Sequence, residues 1–381
     1  MAIEFIGMIG TRSASELDGP GVNLIGGHID AGFVREFAQA HERAGFDRVL
    51  IGYGSSGPDS FSVASYVASV TERLGLLIAH RPGFVAPTLA ARKAATLDQF
   101  SNGRVAMHII TGGNDAEQQR DGDFLDHDAR YRRTDEYLDI VLKTWTADAP
   151  FDYDGEFYQL RRATSEVKPL QQPHIPIYFG GMSGSAFAVG PKYADCYAMW
   201  GEPVASVAEQ IAQVRAEAAK WGRSPRFSVS FRPIIAPTEH EAWAKAHGYL
   251  DRILALRKPR DAAASGATGP AGASGAPNPA YKPQAVGSQR LLEIAGRGEV
   301  HDTRLWTAIA AAVGAYGNTT ALVGTPEQVT ESLMAYYDIG VTTFLIRGFE
   351  PLPDATEYGR ELIPMVRAAA ARRDRTLAPA R

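Results

Sequence analysis

Short apolar runs alternate with longer stretches of helical periodicity along the chain. The apolar runs fall at 3–9, 48–52, 74–80, 104–111, 175–180, 195–200, 227–235 and 342–347. Each is rich in apolar, strand-favouring residues on both faces, as a parallel strand must be when helices cover its sheet. Between them, helix-period stretches occupy 30–45, 61–71, 87–101, 132–147, 184–194, 204–221 and 239–257, with late helices at 326–338 and 355–373. Eight strand–helix repeats predict a single-domain α/β fold, the (β/α)8 or TIM barrel. An open Rossmann sheet is the rival. No Gly-x-Gly-x-x-Gly follows the first strand, where Gly7-Met-Ile-Gly-Thr-Arg12 stands instead.

The clearest unit is 74–113. An apolar strand enters the turn Arg81-Pro-Gly, a helix closes at Asn102-Gly103, and a second strand stops at Thr111-Gly-Gly113. Both strands aim their carboxyl ends at one face, where parallel α/β folds place ligands. Two insertions interrupt the repeat. Residues 150–160 predict a hairpin around Asp154-Gly155. Residues 258–289 are dense in Ala, Gly, Ser and Pro, too poor in apolar surface to order themselves. The expectation there is a mobile lid over the ligand face, with a tolerated surface insertion as the alternative.

Composition narrows the field. Thirty-nine basic against 43 acidic side chains leave a net charge of −4, so no basic excess points to nucleic acid or an anionic membrane. The lone Cys196 excludes an intrachain disulfide and a cysteine-rich metal site. No apolar run approaches a membrane span, and no signal sequence precedes the first strand, so the expected setting is the cytoplasm. The histidines form no metal-binding pair, and no Gly-x-Ser-x-Gly elbow argues for a hydrolase.

In a barrel the chemistry sits at strand ends. The turn Gly180-Gly181-Met-Ser183 opens a helix, where exposed N–H groups and the helix dipole favour an anion such as phosphate; an ordinary serine cap is the plain alternative. Arg81, Arg232 and Arg347 stand at strand ends, and guanidinium groups on apolar strands are costly unless they meet an anion. A salt bridge to Asp59 or Glu202 is the competing explanation. His80 and His28 are candidates for proton handling. Trp200, Tyr53 and Asn114 are candidates for the rim of a polar substrate site.

Several segments together resemble the bacterial luciferase-like flavin monooxygenases, and most closely their two-component alkanesulfonate monooxygenase branch. They are 86–104, Asp121-Gly-Asp-Phe-Leu-Asp-His-Asp-Ala-Arg-Tyr131, Tyr178-Phe-Gly-Gly181, Trp200-Gly-Glu-Pro203 and Thr320-Ala-Leu-Val-Gly-Thr325, in the family's order across nearly the whole chain. The resemblance implies a TIM barrel that takes reduced FMN from a separate NAD(P)H-dependent reductase, uses O2, and cleaves an organosulfonate to sulfite and an aldehyde. It implies a homo-oligomer, dimer or tetramer. It matches Thr111 to a flavin contact closing the fourth strand, and Tyr131 and Ser183 to phosphate contacts beside Gly180 and Gly181. His127 belongs to the same matched segment and joins the cofactor set.

The substrate half departs from that branch. Gly57 stands for its cysteine, Arg232 for its strand-seven histidine, Ser230 for its strand-seven arginine, Phe349 for a tyrosine and Thr11 for a histidine. The cofactor half is thus expected to be retained and the substrate half rewritten, toward a polar or sugar sulfonate such as sulfoquinovose. Sulfone oxidation, heterocycle ring opening, hydride transfer with F420 and a non-catalytic flavin-binding barrel are the alternatives.

Overall fold

The computed structural model describes residues 3–12, 28–256, 283–317 and 319–377. Eight parallel strands close into a ring: β1 (Glu4–Ile9), β2 (Arg48–Ile51), β3 (Gly75–His80), β4 (Val105–Ile109), β7 (Ile177–Gly180), β8 (Cys196–Trp200), β9 (Arg226–Ile235) and β13 (Thr343–Ile346), which returns to β1. These are the eight expected strands, seven of them shortened by one to three residues and β9 starting one residue earlier. Between β4 and β7, strands β5 (Phe151–Asp154) and β6 (Gln159–Ala163) form the expected antiparallel hairpin.

Helices cover the outside and the mouth: α1 (Ala31–Arg43), α2 (Ser60–Val70), α3 (Pro87–Phe100), α4 (Asp115–Arg120), α5 (His127–Thr146), α6 (Gly184–Tyr193), α7 (Val204–Ala219), α8 (Glu239–Leu256), α9 (Val286–Gly296), α10 (Ala308–Ala312), α11 (Pro326–Asp338), α12 (Pro351–Glu357) and α13 (Ile363–Leu377). Helix α5 starts five residues earlier than its periodicity suggests. The Asp126 carboxylate accepts from the Ala129 N–H at 2.7 Å, and this cap draws His127–Tyr131 into the first turns. No helix among the described residues is long and apolar enough to cross a membrane.

Strand β9 is ten residues long and serves two sheets. Its first half, Ser228–Phe231, pairs with β13 and keeps the barrel closed. Its second half, Arg232–Ile235, pairs with β12 (Ala321–Gly324), which leads to β11 (Leu305–Trp306) and β10 (Val300–His301). This annex carries the chain from 283 to 317 over the mouth of the barrel. The lid expected at 258–289 lies outside the described residues up to 282; its end, 283–289, is described and is part of the annex.

The lumen is filled at mid-height by Ile6, Leu77, Ala106, Tyr178 and Cys196. Below them Glu4 plugs the amino-terminal end. It accepts from Arg48 Nε at 2.8 Å, Tyr178 Oη at 2.7 Å and Arg226 Nη1 at 3.0 Å. Burial pushes the Glu4 carboxyl up in pKa, but Arg48, Tyr178 and Arg226 together pull it down further. Glu4→Ala would leave two guanidinium groups without their counterion. The expected cost is about 3 kcal/mol, read as a lower urea midpoint with an unchanged slope.

Candidate active site

Above the plug the lumen is hollow. The inward positions of four neighbouring strands carry His108 on β4, Gly180 on β7, Ala198 on β8, and Ser228 and Ser230 on β9, and these mostly small side chains leave a cavity of about 730 Å³. Such a volume suits a cofactor together with a small substrate. The cavity opens at the carboxyl rim, as the barrel rule requires.

One corner is built for an anion. Ser183 caps α6, accepting from the Ala186 N–H at 3.2 Å. Tyr131, one turn into α5, is 7 % exposed and turns its hydroxyl toward Ser183 and Thr111, whose Oγ1 is buried without a hydrogen-bond partner. Burial raises its pKa, so it remains a neutral donor. Gly181 has to be glycine here: a Cβ would stand 2.6 Å from Ala186 Cβ and 2.8 Å from Tyr131 Oη. The corner thus keeps free backbone, two hydroxyls and the positive end of a ten-residue helix facing one space. His127 stands beside it, its ring tilted against Tyr131 at 4.9 Å between centroids and bonded through Nδ1 to Asp128 at 2.8 Å.

Cationic groups line the same cavity elsewhere. Arg347, at the end of β13, is buried. Its Nη2 donates to Gly317 O and its Nη1 lies 3.3 Å from Met8 Sδ. Burial lowers its pKa to about 10, so it is still cationic at neutral pH. Arg130, 2 % exposed, binds Asp115 at 2.8 Å and Leu125 O at 2.6 Å. Trp200 lines the cavity and packs on the annex cluster Leu291, Ile294 and Ala315. The annex also supplies Gln284, whose side chain accepts from the Asp115 N–H at 2.8 Å. Among the described residues, no three side chains group to hold a metal ion.

The structure therefore gathers Thr111, His127, Tyr131, Gly180, Gly181, Ser183, Trp200 and Arg347 around one cavity. It places the other expected residues apart. Arg232 is fully buried behind Arg347, with Nη1 on Gly348 O at 3.1 Å and its guanidinium 4.5 Å from the Phe349 ring. It leaves the lumen because β9 crosses to the annex at that residue. Burial and the Arg347 charge hold its pKa well below the arginine range. His80 lies outside the lumen, bonded to Tyr137 Oη at 2.7 Å. Tyr53 gives its hydroxyl to Asp121 at 2.8 Å. Asn114 caps α4 by accepting from the Glu117 N–H at 2.8 Å. His28 is exposed and borders no part of the cavity. The ion pairs weighed from sequence also differ: Arg81 meets Glu117 at 2.8 Å, while Glu202 binds Arg290 at 2.6 Å.

His108 and Arg130 escaped the sequence reading. His108 hides within the apolar run 104–111, and only strand parity, which pairs it with the inward-facing Tyr178 across β4 and β7, could have turned it inward. Its Nδ1 is buried without a hydrogen-bond partner, a place for a ligand atom. Burial lowers the His108 pKa to about 4, and does the same to His41 and His80. All three are neutral when folded, while the unfolded chain takes up their protons below about 6.5. Their contribution is complete above that pH and is lost as pH falls toward 4. Stability at pH 5 is expected to be on the order of 5 kcal/mol lower than at pH 7, measured by urea unfolding at both pH values.

A closed parallel barrel with a roofed cavity at its carboxyl rim, lined by a glycine turn at a helix head and by a buried cation, has the architecture of an enzyme scaffold. The chain belongs to the luciferase-like monooxygenase family, whose model matches residues 3–343. The flavin-dependent monooxygenases of that family define its enzyme class. Solved structures share the fold. EDTA monooxygenase from Chelativorans sp. BNC1 superposes with a TM-score of 0.73 at 18 % identity, over 97 % of this chain and 95 % of that one. DmoA from Hyphomicrobium sulfonivorans gives 0.71 at 21 % identity, over 97 % and 89 %. A riboflavin lyase, solved with modified FMN and its substrate riboflavin, gives 0.74 at 20 % identity, over 97 % and 92 %.

Proposed function

We propose that the protein is a reduced-FMN- and O2-dependent monooxygenase that cleaves the C–S bond of a small polar organosulfonate, releasing sulfite and an aldehyde. One observation carries the reading: a single cavity is lined both by the Gly180–Ser183 turn at the head of α6 and by the buried Arg347 guanidinium, two groups that would each seat an anion. A phosphate-tailed cofactor and an ionised substrate need one each.

Tyr131, Ser183 and the first N–H groups of α6 would hold the FMN phosphate, with Thr111, His127, Gly180 and Gly181 beside it. The glycine corner and the open Nδ1 of His108 fit such a guest. When bound, reduced FMN supplies the electrons that activate O2. Arg347 holds the sulfonate, which is ionised at any working pH, and draws charge toward itself as the C–S bond breaks. Arg232 stands behind it and acts on the substrate only through that neighbour. Trp200 and the segment from Gln284 roof the cavity and exclude water, which keeps O2 activation coupled to the substrate. A separate NAD(P)H-dependent reductase supplies the flavin.

The test is sulfite release across a panel of sulfonates with FMNH2 and O2. Sulfite with a matching aldehyde supports the reading. Turnover of reduced F420 without O2 uptake, or tight FMN binding with no product from any sulfonate, sulfone or heterocycle, would replace it.

A further inference from the structure

A second cavity, of about 480 Å³, lies beside the first. Its walls come from the ends of β2 and β3, the first turns of α2 and α3, and the loop ahead of α5. Among the described residues, Arg81 is common to both linings. Its side chain is 6 % exposed, with Nη2 on Glu117 at 2.8 Å and the guanidinium 4.7 Å from the Tyr53 ring. Nε and Nη1 are nonetheless buried with no hydrogen-bond partner. Buried guanidinium N–H groups are costly to leave unmade, so such a pair marks a place where a ligand supplies the acceptor.

The other charges of this chamber are unevenly engaged. Asp123 spends both oxygens on Arg133, at 3.1 and 2.5 Å. Asp59 Oδ1 caps α2, taking the Ser62 N–H and hydroxyl at 2.8 and 2.7 Å. Asp121 accepts from Tyr53. Lys93 makes a ring contact, its Nζ 4.7 Å from the Phe61 centroid, lies near enough to His80 to disfavour that ring's protonation, and has no carboxylate in ion-pair range among the described residues. Each acid thus already holds a donor of the protein, with one oxygen of Asp59 and one of Asp121 engaged, while donor capacity is left over on Arg81 and Lys93. Tyr53 and Phe84, stacked 6.2 Å apart at 11°, add an apolar wall for an organic tail.

We propose that this side chamber is a second binding site, for a small oxyanion held between Arg81 and Lys93. Guanidinium and ammonium together suit a sulfonate, sulfate-like or carboxylate group. The site stands on its own geometry and rests on the proposed function only for the source of its guest. Across Arg81 from the reaction cavity, that guest is either released inorganic anion or the charged end of a waiting substrate.

Titration of the flavin-free full-length protein with sulfate, methanesulfonate and the neutral analogue dimethyl sulfone, at constant chloride ionic strength, tests this. Saturable binding of an anion is expected, with none of dimethyl sulfone. Lys93→Gln should weaken it about tenfold or more, Lys93→Arg should restore it, and FMN should neither displace the anion nor lose affinity in Lys93→Gln. Tighter sulfate identifies the released-anion source, and tighter methanesulfonate the organic one; either supports the site. No saturable binding that depends on Lys93, equal binding of dimethyl sulfone, or displacement of the Lys93-dependent anion by FMN would overturn it. None of these readouts depends on turnover, so failure of the sulfite-release assay leaves them distinct.

Discussion

Arg347→Met should lower kcat/KM for the sulfonate by about two to three orders of magnitude while leaving the FMN dissociation constant within about twofold. Arg347 is a strand-end cation that lines the cavity and remains charged at neutral pH, and methionine keeps much of its apolar bulk. The melting temperature should move little, because removing a buried charge relieves a desolvation cost as it removes a bond to Gly317 O. Steady-state kinetics beside flavin titration separates the two effects. Equal losses in both would show that Arg347 serves the cofactor.

The complementary substitution is Gly181→Val. Its Cβ would press on Ala186 and on the Tyr131 hydroxyl, displacing the group that defines the anion corner. FMN affinity should fall about a hundredfold, since bonds to a charged oxygen are among the strongest in a site. Tyr131→Phe, which removes the hydroxyl alone, should cost about tenfold. Fluorescence titration measures both. A Gly181→Val protein that binds FMN normally would place the phosphate elsewhere.

All eight barrel strands were legible in the sequence because both faces of a parallel strand are buried, which leaves unbroken apolar runs. The glycine corner was legible because close backbone approach demands glycine. The annex was not. Its strands are two to four residues long, and β12 exists because the second half of β9 needs a partner, a long-range pairing that no local pattern announces. Helix α4, with Ala116 as the one apolar position among its six residues under an Asn114 cap, is too short and too polar to show a period. The same crossing explains Arg232. Strand parity with Ser228 and Ser230 points it inward, and the departure of β9 from the ring removes it from the cavity. His80, Tyr53 and Asn114 sit at the expected rim, but the rim holds two chambers, and proximity to a strand end does not say which one a side chain enters.

The two-sheet strand has a consequence for how such proteins diversify. The canopy over the reaction space is fastened to the drum by the far half of β9, while the hoop of strands is completed by its near half. Canopies of different length or chemistry can therefore be exchanged at that attachment without reopening the hoop, so selectivity for new guests is free to change while the seat at the head of α6 stays as it is.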